Sequence, residues 1–463
     1  MKTVLNGKYN VVVIGAGTAG LVTAGGTAGL GGRVALIERH KMGGDCLNYG
    51  CVPSKALISS ARAIHRIAHA ERWGLRAKEP AFEFAEVFER MRDRRAKIAP
   101  NDSRERFESL GVTVFAGGAK FLSPHEVQVG ETVLRAANFV IATGCRASAP
   151  PMEGLRDIKY YTNETIFDEL REKPRTMAVI GGGPIGCELG QVFQRLGVAV
   201  TIFDRGPRLL HREDADVAEL LQDTLKAEGV QLDFNAELKR VPAGFDAVLV
   251  AAGRVPNVEE LNLEAAGVRH GRKGIEVNEY LQTNQPHIYA AGDVAGPYQF
   301  THMADHQART VVRNTLMPWF KQKVDYSVVP WCTYTDPEVA RVGLSEAEAR
   351  QAGVEYDLFT EQLKNVDRAV LEDEDVGFAK VLTAKGTDKL IGVTLIAPHA
   401  GDLLHEFVLA MKHGIGLSKI ATTIHAYPTF AEIARKAGDQ YQKKRLTPVV
   451  KKLLAWRYKQ ARR

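Results

Sequence analysis

The chain has 463 residues, of which 45% are hydrophobic and 25% charged, a composition typical of a globular protein with several domains. No apolar run reaches the ~20 residues that a membrane-spanning helix needs, and the N-terminus lacks a signal-peptide pattern, so we expect a cytoplasmic protein. Residues 440–463 carry nine Lys or Arg and no acid, while the rest has 52 basic and 55 acidic residues, so nothing indicates a nucleic-acid-binding surface.

The first predicted elements form a nucleotide-binding unit. An apolar strand at residues 9–14 leads into a glycine turn, a helix and a second strand that ends at Glu38. The turn has the spacing G-x-G-x-x-G at Gly15, Gly17 and Gly20. These glycines permit a tight turn, close approach of a pyrophosphate and close helix packing, and Glu38 can bind a ribose hydroxyl. Because the strand, the helix and the acid are all in place, the pattern predicts a dinucleotide site.

The same pattern recurs after a strand at residues 177–180. Its glycines are Gly181, Gly183 and Gly186, and the strand that follows the next helix ends at Asp204. Two fingerprints predict two dinucleotide cofactors, one held permanently and one that exchanges.

Three later apolar runs end in small residues and are predicted to be buried strands. They end at Gly144, at Gly253 and at the pair Gly292-Asp293. We expect the last pair to return the chain to the first cofactor, where Asp293 accepts a hydrogen bond from a sugar hydroxyl. From about residue 330, strands alternate with helices and no glycine fingerprint occurs, which indicates a separate α+β domain.

The segment GGDCLNYGCVPSK, residues 43–55, carries the most specific chemistry. Cys46 and Cys51 are five positions apart and can form a disulfide if the segment bends. Pro53 fits an early helix position, so Cys51 is predicted to lie near a helix N-terminus, where the dipole favours a thiolate. Lys55, one turn later, adds a cation. A paired thiol in such a chain is more often catalytic than structural, and no His lies at ligand spacing, so no metal site is expected.

With these motifs the chain resembles the pyridine nucleotide-disulfide oxidoreductases, which include dihydrolipoyl dehydrogenase, glutathione reductase and mercuric reductase. The resemblance implies an α/β chain of two Rossmann-like dinucleotide-binding domains and a C-terminal α+β dimerisation domain, acting as a homodimer. It places FAD at the first fingerprint and NADH or NADPH at the second, with Gly44, Lys55 and Ala119 also at the FAD. The domain boundaries that we predict are 1–150 with 281–328 for FAD, 151–280 for NAD(P)H, 329–440 for the interface and 441–463 for a basic tail.

The resemblance also implies the roles of the catalytic residues. Cys51 is the thiol that faces the flavin, Cys46 is the interchange thiol that meets the substrate, and Lys55 pairs with Glu188. Hydride passes from the nicotinamide to the flavin, and the electrons reach the disulfide through Cys51. The substrate is then a small disulfide, a soft metal ion or a quinone.

One stretch departs from the disulfide-reducing members, which carry a His before a Pro and a Glu five residues later. By spacing, Tyr427 takes the His position, Glu432 keeps the Glu position, and His425 lies two residues too early. Tyrosine, with a pKa near ~10, is a poor base at neutral pH. Mercuric reductases resemble this arrangement but carry a C-terminal Cys pair, whereas this chain has no Cys after Cys332. We therefore expect a mercuric-reductase-like enzyme without metal-delivery parts, with dihydrolipoyl dehydrogenase as the alternative.

Two further features leave alternatives open. Asp204 suits the 2′-hydroxyl of NADH, while Arg205 and Arg208 suit the 2′-phosphate of NADPH; we favour NADH. In the tail, apolar and basic side chains recur at near-helical spacing after Pro448, as in a helix that binds an anionic membrane surface. A membrane-surface NADH dehydrogenase that reduces a quinone is therefore a further alternative to a helix packed on the dimer. The tail residues concerned are Val449, Val450, Lys451, Lys452, Leu453, Leu454, Trp456, Arg457 and Lys459.

Overall fold

The structure is a computed structural model, and it describes residues 3–4, 8–76 and 80–462. The α-helices are α1 (Thr18–Gly29), α2 (Gly44–Asn48), α3 (Cys51–Ala68), α4 (Phe84–Ile98), α5 (Arg104–Ser109), α6 (Ile166–Glu169), α7 (Pro184–Arg195), α8 (Ala215–Ala227), α9 (Thr301–Leu316), α10 (Glu346–Gln351), α11 (Asp367–Leu371), α12 (Ala400–Lys412), α13 (Leu417–Thr422), α14 (Glu432–Arg445) and α15 (Pro448–Gln460).

The strands are short, and most belong to one of three larger sheets. They are β1 (Thr3–Val4), β2 (Tyr9–Ile14), β3 (Val34–Glu38), β4 (Val112–Ala116), β5 (Ala119–Ser123), β6 (Glu126–Val129), β7 (Thr132–Ile141), β8 (Cys145–Ala147), β9 (Thr176–Ile180), β10 (Ala199–Asp204), β11 (Gln231–Phe234), β12 (Ala247–Val250), β13 (Arg254–Pro256), β14 (His270–Gly271), β15 (Gly274–Ile275), β16 (Ile288–Ala290), β17 (Pro330–Thr333), β18 (Glu338–Gly343), β19 (Tyr356–Gln362), β20 (Phe378–Ala384) and β21 (Leu390–Ala397).

The described residues form two compact units. The first contains residues up to 68, 80–205 and 229–325, and the second contains 69–76, 206–228 and 326–462. This division groups residues 206–228 with the C-terminal part, whereas we expected them within a nucleotide-binding domain at 151–280. The domain boundaries given above therefore stay a prediction.

The larger sheet of the first unit has the order β4-β3-β2-β7-β6-β5, with β1 and β16 also paired to β7. Strands β4, β3, β2, β7 and β16 run parallel, while β6 and β5 continue the sheet in antiparallel fashion. Valines and isoleucines fill the parallel strands, and Val12 and Val13 are fully buried because both faces of the sheet are covered. The carboxyl ends of β2, β3 and β16 therefore lie at one edge, where the first glycine turn emerges.

A second, smaller sheet in the same unit repeats this arrangement. Its order is β11-β10-β9-β12, and all of its pairs are parallel. The small residues that end β7 and β12 lie beside the two glycine turns: the amide of Ala142 donates to the carbonyl of Ile14, and that of Ala251 donates to Ile180, each at 2.8 Å. Each fingerprint thus lies at the carboxyl edge of a parallel sheet, where open α/β folds bind ligands.

The second unit is built on an antiparallel five-stranded sheet with the order β17-β18-β21-β20-β19. Helix α12 packs on β18 and β21, and α14 packs on β19 and β20. Lys380 of β20 is buried, and its charge is balanced by Asp214 at 3.0 Å and Glu346 at 2.5 Å. An α+β unit after residue 330 is therefore confirmed.

The tail forms a helix, as its spacing predicts. Helix α15 begins at Pro448, and the Thr447 side chain caps it by accepting a hydrogen bond from the amide of Val450. None of its described side chains is buried. Among the described residues, no helix is both long and apolar enough to cross a membrane.

Candidate active site

The first glycine turn is shaped by contacts too close for a side chain. Gly15 has φ +102°, and a Cβ there would lie 2.4 Å from the carbonyl oxygen of Ala142. A Cβ on Gly20 would lie 1.8 Å from the carbonyl oxygen of Gly15, so helix α1 rests directly on the turn. At Gly17 the nearest atom to such a Cβ is the Gly44 Cα at 3.8 Å. This position therefore has no steric need for glycine within the protein, which fits a surface reserved for a ligand phosphate.

The Glu38 carboxylate closes this turn from the end of β3. Its Oε2 accepts a hydrogen bond from the amide of Ala16, and its Oε1 accepts from His40, each at 2.7 Å. Beside it lies a cavity of about 400 Å³. The cavity is lined among others by Gly15, Glu38, Ala119, Thr143, Arg146 and Asn257. A cleft with the Glu38 carboxylate beside a glycine turn fits the adenosine end of a dinucleotide, and Ala119 also lines this cleft.

The second glycine turn has nearly the same geometry. Gly181 has φ +113°, and a Cβ on Gly186 would lie 1.8 Å from the carbonyl oxygen of Gly181. Oδ2 of Asp204 accepts a hydrogen bond from the amide of Gly182 at 2.6 Å. A Cβ on Gly183 would meet no atom within 4 Å. The residues of both turns therefore fit dinucleotides equally well.

The predicted return of the chain to the first turn is present. Gly292 has φ +80°, and its amide donates to Oε1 of the buried Gln307 at 2.7 Å. A Cβ on Gly292 would lie 3.2 Å from the Cβ of Ala19 in helix α1. Burial raises the pKa of Asp293, although Arg254 opposes the shift. Gly144 and Gly253 follow β7 and β12 with left-handed backbone, as turns at the same two sheet edges.

The two candidate redox cysteines lie in consecutive helices. Cys46 is in the short helix α2, and Cys51 is the first residue of α3, with Pro53 two positions later, as predicted. Both are free thiols, and they hydrogen bond to each other. The Cys51 sulfur also lies 3.4 Å from the hydroxyl of Thr301 at the start of α9. The segment is thus bent as the hypothesis of a redox pair requires.

The two thiols differ in acidity. The hydrogen bond from Cys46 lowers the pKa of Cys51 to about 6, while desolvation of the sulfur atom opposes this shift. A hydrogen bond with Thr301 and the positive charge of Lys55 lower the pKa further. The hydrogen bond between the two thiols, together with burial, raises the pKa of Cys46. Of the two thiols, Cys51 is therefore the more readily deprotonated, while the roles of the two cysteines in catalysis stay a prediction.

Lys55 and Glu188 form the ion pair that the resemblance implies. Their Nζ and Oε2 atoms are 2.8 Å apart, and the Glu188 side chain is 7% exposed. Helices α3 and α7 pack against each other around this pair. The ion pair joins the cysteine helix to the helix of the second fingerprint, while a catalytic role for either residue stays a prediction.

The second unit holds Tyr427 and Glu432. The Tyr427 hydroxyl donates to Oδ2 of Asp367 at 2.9 Å, and this hydrogen bond raises the pKa of the phenol. Glu432 is buried at the start of α14; its Oε1 accepts from Arg435 at 3.1 Å. Its Oε2 is buried and has no hydrogen-bond partner among the described residues. Tyr427 is thus held as a proton donor, which agrees with the expectation that it is a poor base.

His425 is occupied at both ring nitrogens. Nε2 lies 3.0 Å from Oε1 of Glu406, and Nδ1 lies 2.9 Å from the carbonyl oxygen of Thr423. Such a ring has no nitrogen left to take a proton from a substrate thiol, so His425 does not replace the missing base in this conformation.

Three further cysteines and one arginine lie outside the redox segment. Cys145 and Cys187 are buried, and Cys332 is half-buried. Arg208 donates to the carbonyl oxygens of His211 and Glu213, at 3.5 and 3.2 Å, which ties it to its own loop. In the part of the chain that the structure describes, no group of three or more His, Cys, Asp or Glu could hold a metal ion.

Four functional candidates were missed in the sequence: Thr301, Gln307, Arg254 and Asp367. Arg254 carries a detectable signal, because it is a charged residue directly after the small-residue motif that ends at Gly253. Thr301 and Asp367 lie 250 and 60 positions from their partners, Gln307 lies 15 positions from Gly292, and no local pattern marks any of the three.

The sequence matches two family descriptions along most of its length. Residues 9–308 match "Pyridine nucleotide-disulphide oxidoreductase", and residues 329–437 match the dimerisation domain of the same family. The mercuric reductase of Staphylococcus aureus is 33% identical over 457 residues, covering 95% of this chain and 83% of that protein. The dihydrolipoyl dehydrogenase of Chlamydia muridarum is 34% identical over 448 residues, covering 93% and 96%.

A solved structure is similar over nearly the whole chain. It is titled "Cu(II) complex of HOCl-induced flavoprotein disulfide reductase RclA from Escherichia coli", with a TM-score of 0.85, 26% identity, and coverage of 94% of this chain and 99% of that one. These matches confirm the expected fold class of dinucleotide-binding domains followed by a dimerisation domain.

Proposed function

The chain belongs to the pyridine nucleotide-disulphide oxidoreductase family, and from this premise we propose that it reduces a soft metal ion through Cys46 and Cys51, in the manner of a mercuric reductase. The observation that carries this choice is the Tyr427–Asp367 hydrogen bond at the position where disulfide-reducing members carry a histidine base. The relatives alone do not decide it, because mercuric reductases and dihydrolipoyl dehydrogenases match with 33% and 34% identity.

Family members are flavoenzymes that use FAD and NAD(P)H, and the two glycine turns fit these cofactors. We assign FAD to the first turn, with Gly15, Gly17, Gly20 and Glu38, and the nicotinamide nucleotide to the second, with Gly181, Gly183, Gly186 and Asp204. When bound, FAD supplies a ring that accepts hydride from NAD(P)H and delivers an electron pair to the cysteines.

The side chains of the protein take part in the reaction from the reduction of the Cys46–Cys51 disulfide onward. Two electrons break the Cys46–Cys51 bond; Cys51 keeps the charge as a thiolate, and Cys46 takes a proton as a thiol. Thr301 and Lys55 stabilise the Cys51 thiolate by a hydrogen bond and a positive charge. Glu188, in turn, holds Lys55 in place.

The next step depends on the proton of Cys46. A thiol–disulfide exchange needs a base near neutral pKa to move protons between the enzyme and substrate thiols. Tyr427 cannot serve, since its hydrogen bond to Asp367 raises the pKa of the phenol above its ordinary value. A soft metal ion needs no such base, because it binds thiolates strongly and displaces their protons to water. The copper complex of the E. coli relative is compatible with this substrate class.

The homodimer is supported by the match of residues 329–437 to the family's dimerisation domain. In such a dimer Tyr427 and Glu432 would act beside the thiols of the other subunit, with the phenol as a hydrogen-bond donor or weak metal ligand. Sedimentation of the active enzyme tests the assembly: a fully active monomer at assay concentration contradicts it.

Steady-state kinetics on one preparation test the substrate class. We expect reduction of Hg(II) or Cu(II) with NADPH or NADH, and weak activity with dihydrolipoamide and NAD+. Tyr427→Phe should lower metal reduction, while Tyr427→His should raise dihydrolipoamide turnover, because the unpaired Oε2 of Glu432 is available to orient an imidazole. Tyr356→Phe is the matched control, since Tyr356 also donates to a carboxylate, Oε2 of Glu346 at 2.8 Å. High dihydrolipoamide turnover that Tyr427→Phe leaves unchanged would restore the dihydrolipoyl dehydrogenase assignment.

Quinone reduction at a membrane surface is the second candidate, and the exposure of helix α15 favours it. Val449, Leu453 and Trp456 follow helical spacing and are 75%, 61% and 55% exposed. Lys451 and Lys459 add positive charge, and the helix contains no acidic residue. Such a helix suits the anionic headgroups of a bilayer. Co-sedimentation of the full chain, and of a chain ending at residue 446 that keeps helix α14, with anionic and neutral vesicles tests this candidate; equal binding by both chains contradicts it.

A further inference from the structure

A single guanidinium connects the redox segment to the turn expected at the flavin. Arg254, the first residue of β13, has its Nη2 atom 2.9 Å from Oδ2 of Asp45 and 3.4 Å from Oδ2 of Asp293. The side chain of Arg254 is 18% exposed. Asp45 directly precedes Cys46, and Asp293 belongs to the turn that returns the chain to the first cofactor. Arg254 itself follows Gly253, at the edge of the second sheet.

The Asp45 carboxylate lies against both arms of the bent redox segment. It is in the first turn of α2, and its Oδ1 accepts a hydrogen bond from Asn163 at 3.3 Å. Asn163 also donates to the carbonyl oxygen of Tyr49 at 3.2 Å. A Cβ on Gly50, the residue before Cys51, would lie 3.1 Å from Oδ2 of Asp45. The carboxylate therefore lies close to Gly50 and is linked through Asn163 to the backbone of Tyr49, between the two cysteines.

A carboxylate at this place opposes thiolate formation. The hydrogen bond between the two thiols and the desolvation of their sulfur atoms have the largest effects on the pKa values of the pair, and the charge of Asp45 in addition raises the pKa of both Cys46 and Cys51. Lys55 acts in the opposite sense from α3, with Glu188 behind it. For Arg254, burial works against the cation, but Asp45 and Asp293 outweigh it and raise the pKa of the guanidinium. The Arg254 charge is thus permanently available to neutralise Asp45.

We propose that Arg254 is a positioning residue of the redox site, which fixes the Cys46–Cys51 segment through Asp45 and neutralises that carboxylate beside the thiols. This inference rests on the proposed disulfide chemistry of Cys46 and Cys51. It assigns to Arg254 an electrostatic task in addition to its packing, and the two can be separated by experiment. If Arg254 acts only by packing, the double variant without Asp45 and Arg254 should disturb the Cys51 pKa at least as much as either single variant. If Arg254 acts by its charge, removing both charges should return the Cys51 pKa to the wild-type value.

The test compares wild type, Asp45→Asn, Arg254→Met, Arg254→Lys and the double variant Asp45→Asn/Arg254→Met, each as reduced holoenzyme. The readout is the pH dependence of iodoacetamide alkylation at Cys51, measured by mass spectrometry, with FAD content recorded for every variant. Arg240→Met is the matched control, because Arg240 forms an exposed ion pair with Glu153 at 2.9 Å, away from the cysteines.

Arg254→Met should raise the apparent pKa of Cys51 by about 1 unit, because Asp45 is then unpaired, and Asp45→Asn should lower it by about 1 unit. The double variant should return to within about 0.3 units of wild type, and Arg254→Lys should fall between wild type and Arg254→Met. The control variant should match wild type.

The proposal would be overturned in favour of packing alone if Arg254→Met and Asp45→Asn shifted the Cys51 pKa in the same direction. A double variant whose Cys51 pKa is as far from wild type as that of Arg254→Met would overturn it too. If Arg254→Met does not retain FAD, Asp45→Asn decides by itself, and an unchanged Cys51 pKa then refutes the electrostatic task. A failure of the proposed function itself can be distinguished from these outcomes, because NAD(P)H would then not reduce Cys46 and Cys51 in the wild-type enzyme.

Discussion

The two glycine turns of this chain are nearly identical in backbone but differ in what surrounds them. In both, the first glycine has a strongly positive φ, the third touches the carbonyl oxygen of the first, and an acid at the next strand end accepts from a turn amide. The first turn, however, lies beside Gly44 of the cysteine segment and Gly292 of the returning chain, while a Cβ on Gly183 of the second meets nothing within 4 Å. The two turns therefore share the geometry of a dinucleotide site, while the protein segments around them differ.

The largest expected effect comes from the helix-packing glycines. Gly20→Ala and Gly186→Ala each place a methyl group 1.8 Å from a carbonyl oxygen, so we expect each to cost about 3 kcal/mol or more of folding free energy. Thermal unfolding of the purified proteins measures this. Gly29→Ala, where an added Cβ meets nothing within 4 Å, is the control. Stable variants with unchanged melting temperatures would show that the turns are not packed as described.

Substitutions at the second glycine of each turn should distinguish the FAD site from the NAD(P)H site. At Gly17 an added Cβ makes only an ordinary contact with Gly44, but the valine side chain of Gly17→Val occupies the pyrophosphate approach, so we expect folded protein with FAD content lowered at least ~10-fold. Gly183→Val should keep its FAD and raise the KM for NAD(P)H by a similar factor. Flavin absorbance after denaturation and initial-rate kinetics measure the two effects. Loss of FAD in both variants would contradict the assignment of one cofactor to each turn.

The smallest effect is expected from removing the charge of the carboxylate at the end of a strand, which should change nucleotide binding only moderately. Asp204→Asn should weaken NADH binding about 10-fold, because one charged hydrogen bond to the ribose contributes roughly 1.5 kcal/mol, while NADPH binding should weaken less. The ratio of kcat/KM for NADH to that for NADPH is the measurement. Glu38→Gln, at the other turn, should leave this ratio unchanged. An Asp204→Asn enzyme with an unaltered ratio would remove Asp204 from the nucleotide site.

Much of this architecture can be predicted from local sequence, because the pattern of each turn lies within about thirty residues of chain. Strand β2 has the predicted bounds, and the ends of β3 and β10 shift by one residue at most. Strand β7 was predicted only in part: its first half, where Arg135 and Ala137 are exposed, lacks the continuous apolar run of a buried strand. The hairpin of β5 and β6 was missed for the same reason, since its residues alternate between buried and exposed.

In the candidate site too, contacts within a short segment can be predicted from the sequence, and contacts between distant residues cannot. Cys46, Cys51 and Lys55 follow one another in a short segment, so their proximity is visible in the sequence. Arg254 lies 209 positions from Asp45, and Asp367 lies 60 positions from Tyr427, so only folding shows these contacts. No local sequence pattern marks long-range contacts of this kind.

The most direct test of the central claim is the absorbance of the enzyme after two-electron reduction by NADH or dithionite. If Cys51 is the flavin-facing thiolate, wild type shows a long-wavelength thiolate-to-flavin band. This band persists at pH 7 and fades as the pH falls below about 6, because the pKa of Cys51 is lowered to about 6 and protonation removes the donor charge. Cys51→Ser should abolish the band, and Cys46→Ser should show it without reductant. A colourless wild type, or a band that survives in Cys51→Ser and is lost in Cys46→Ser, would contradict this assignment of the redox pair.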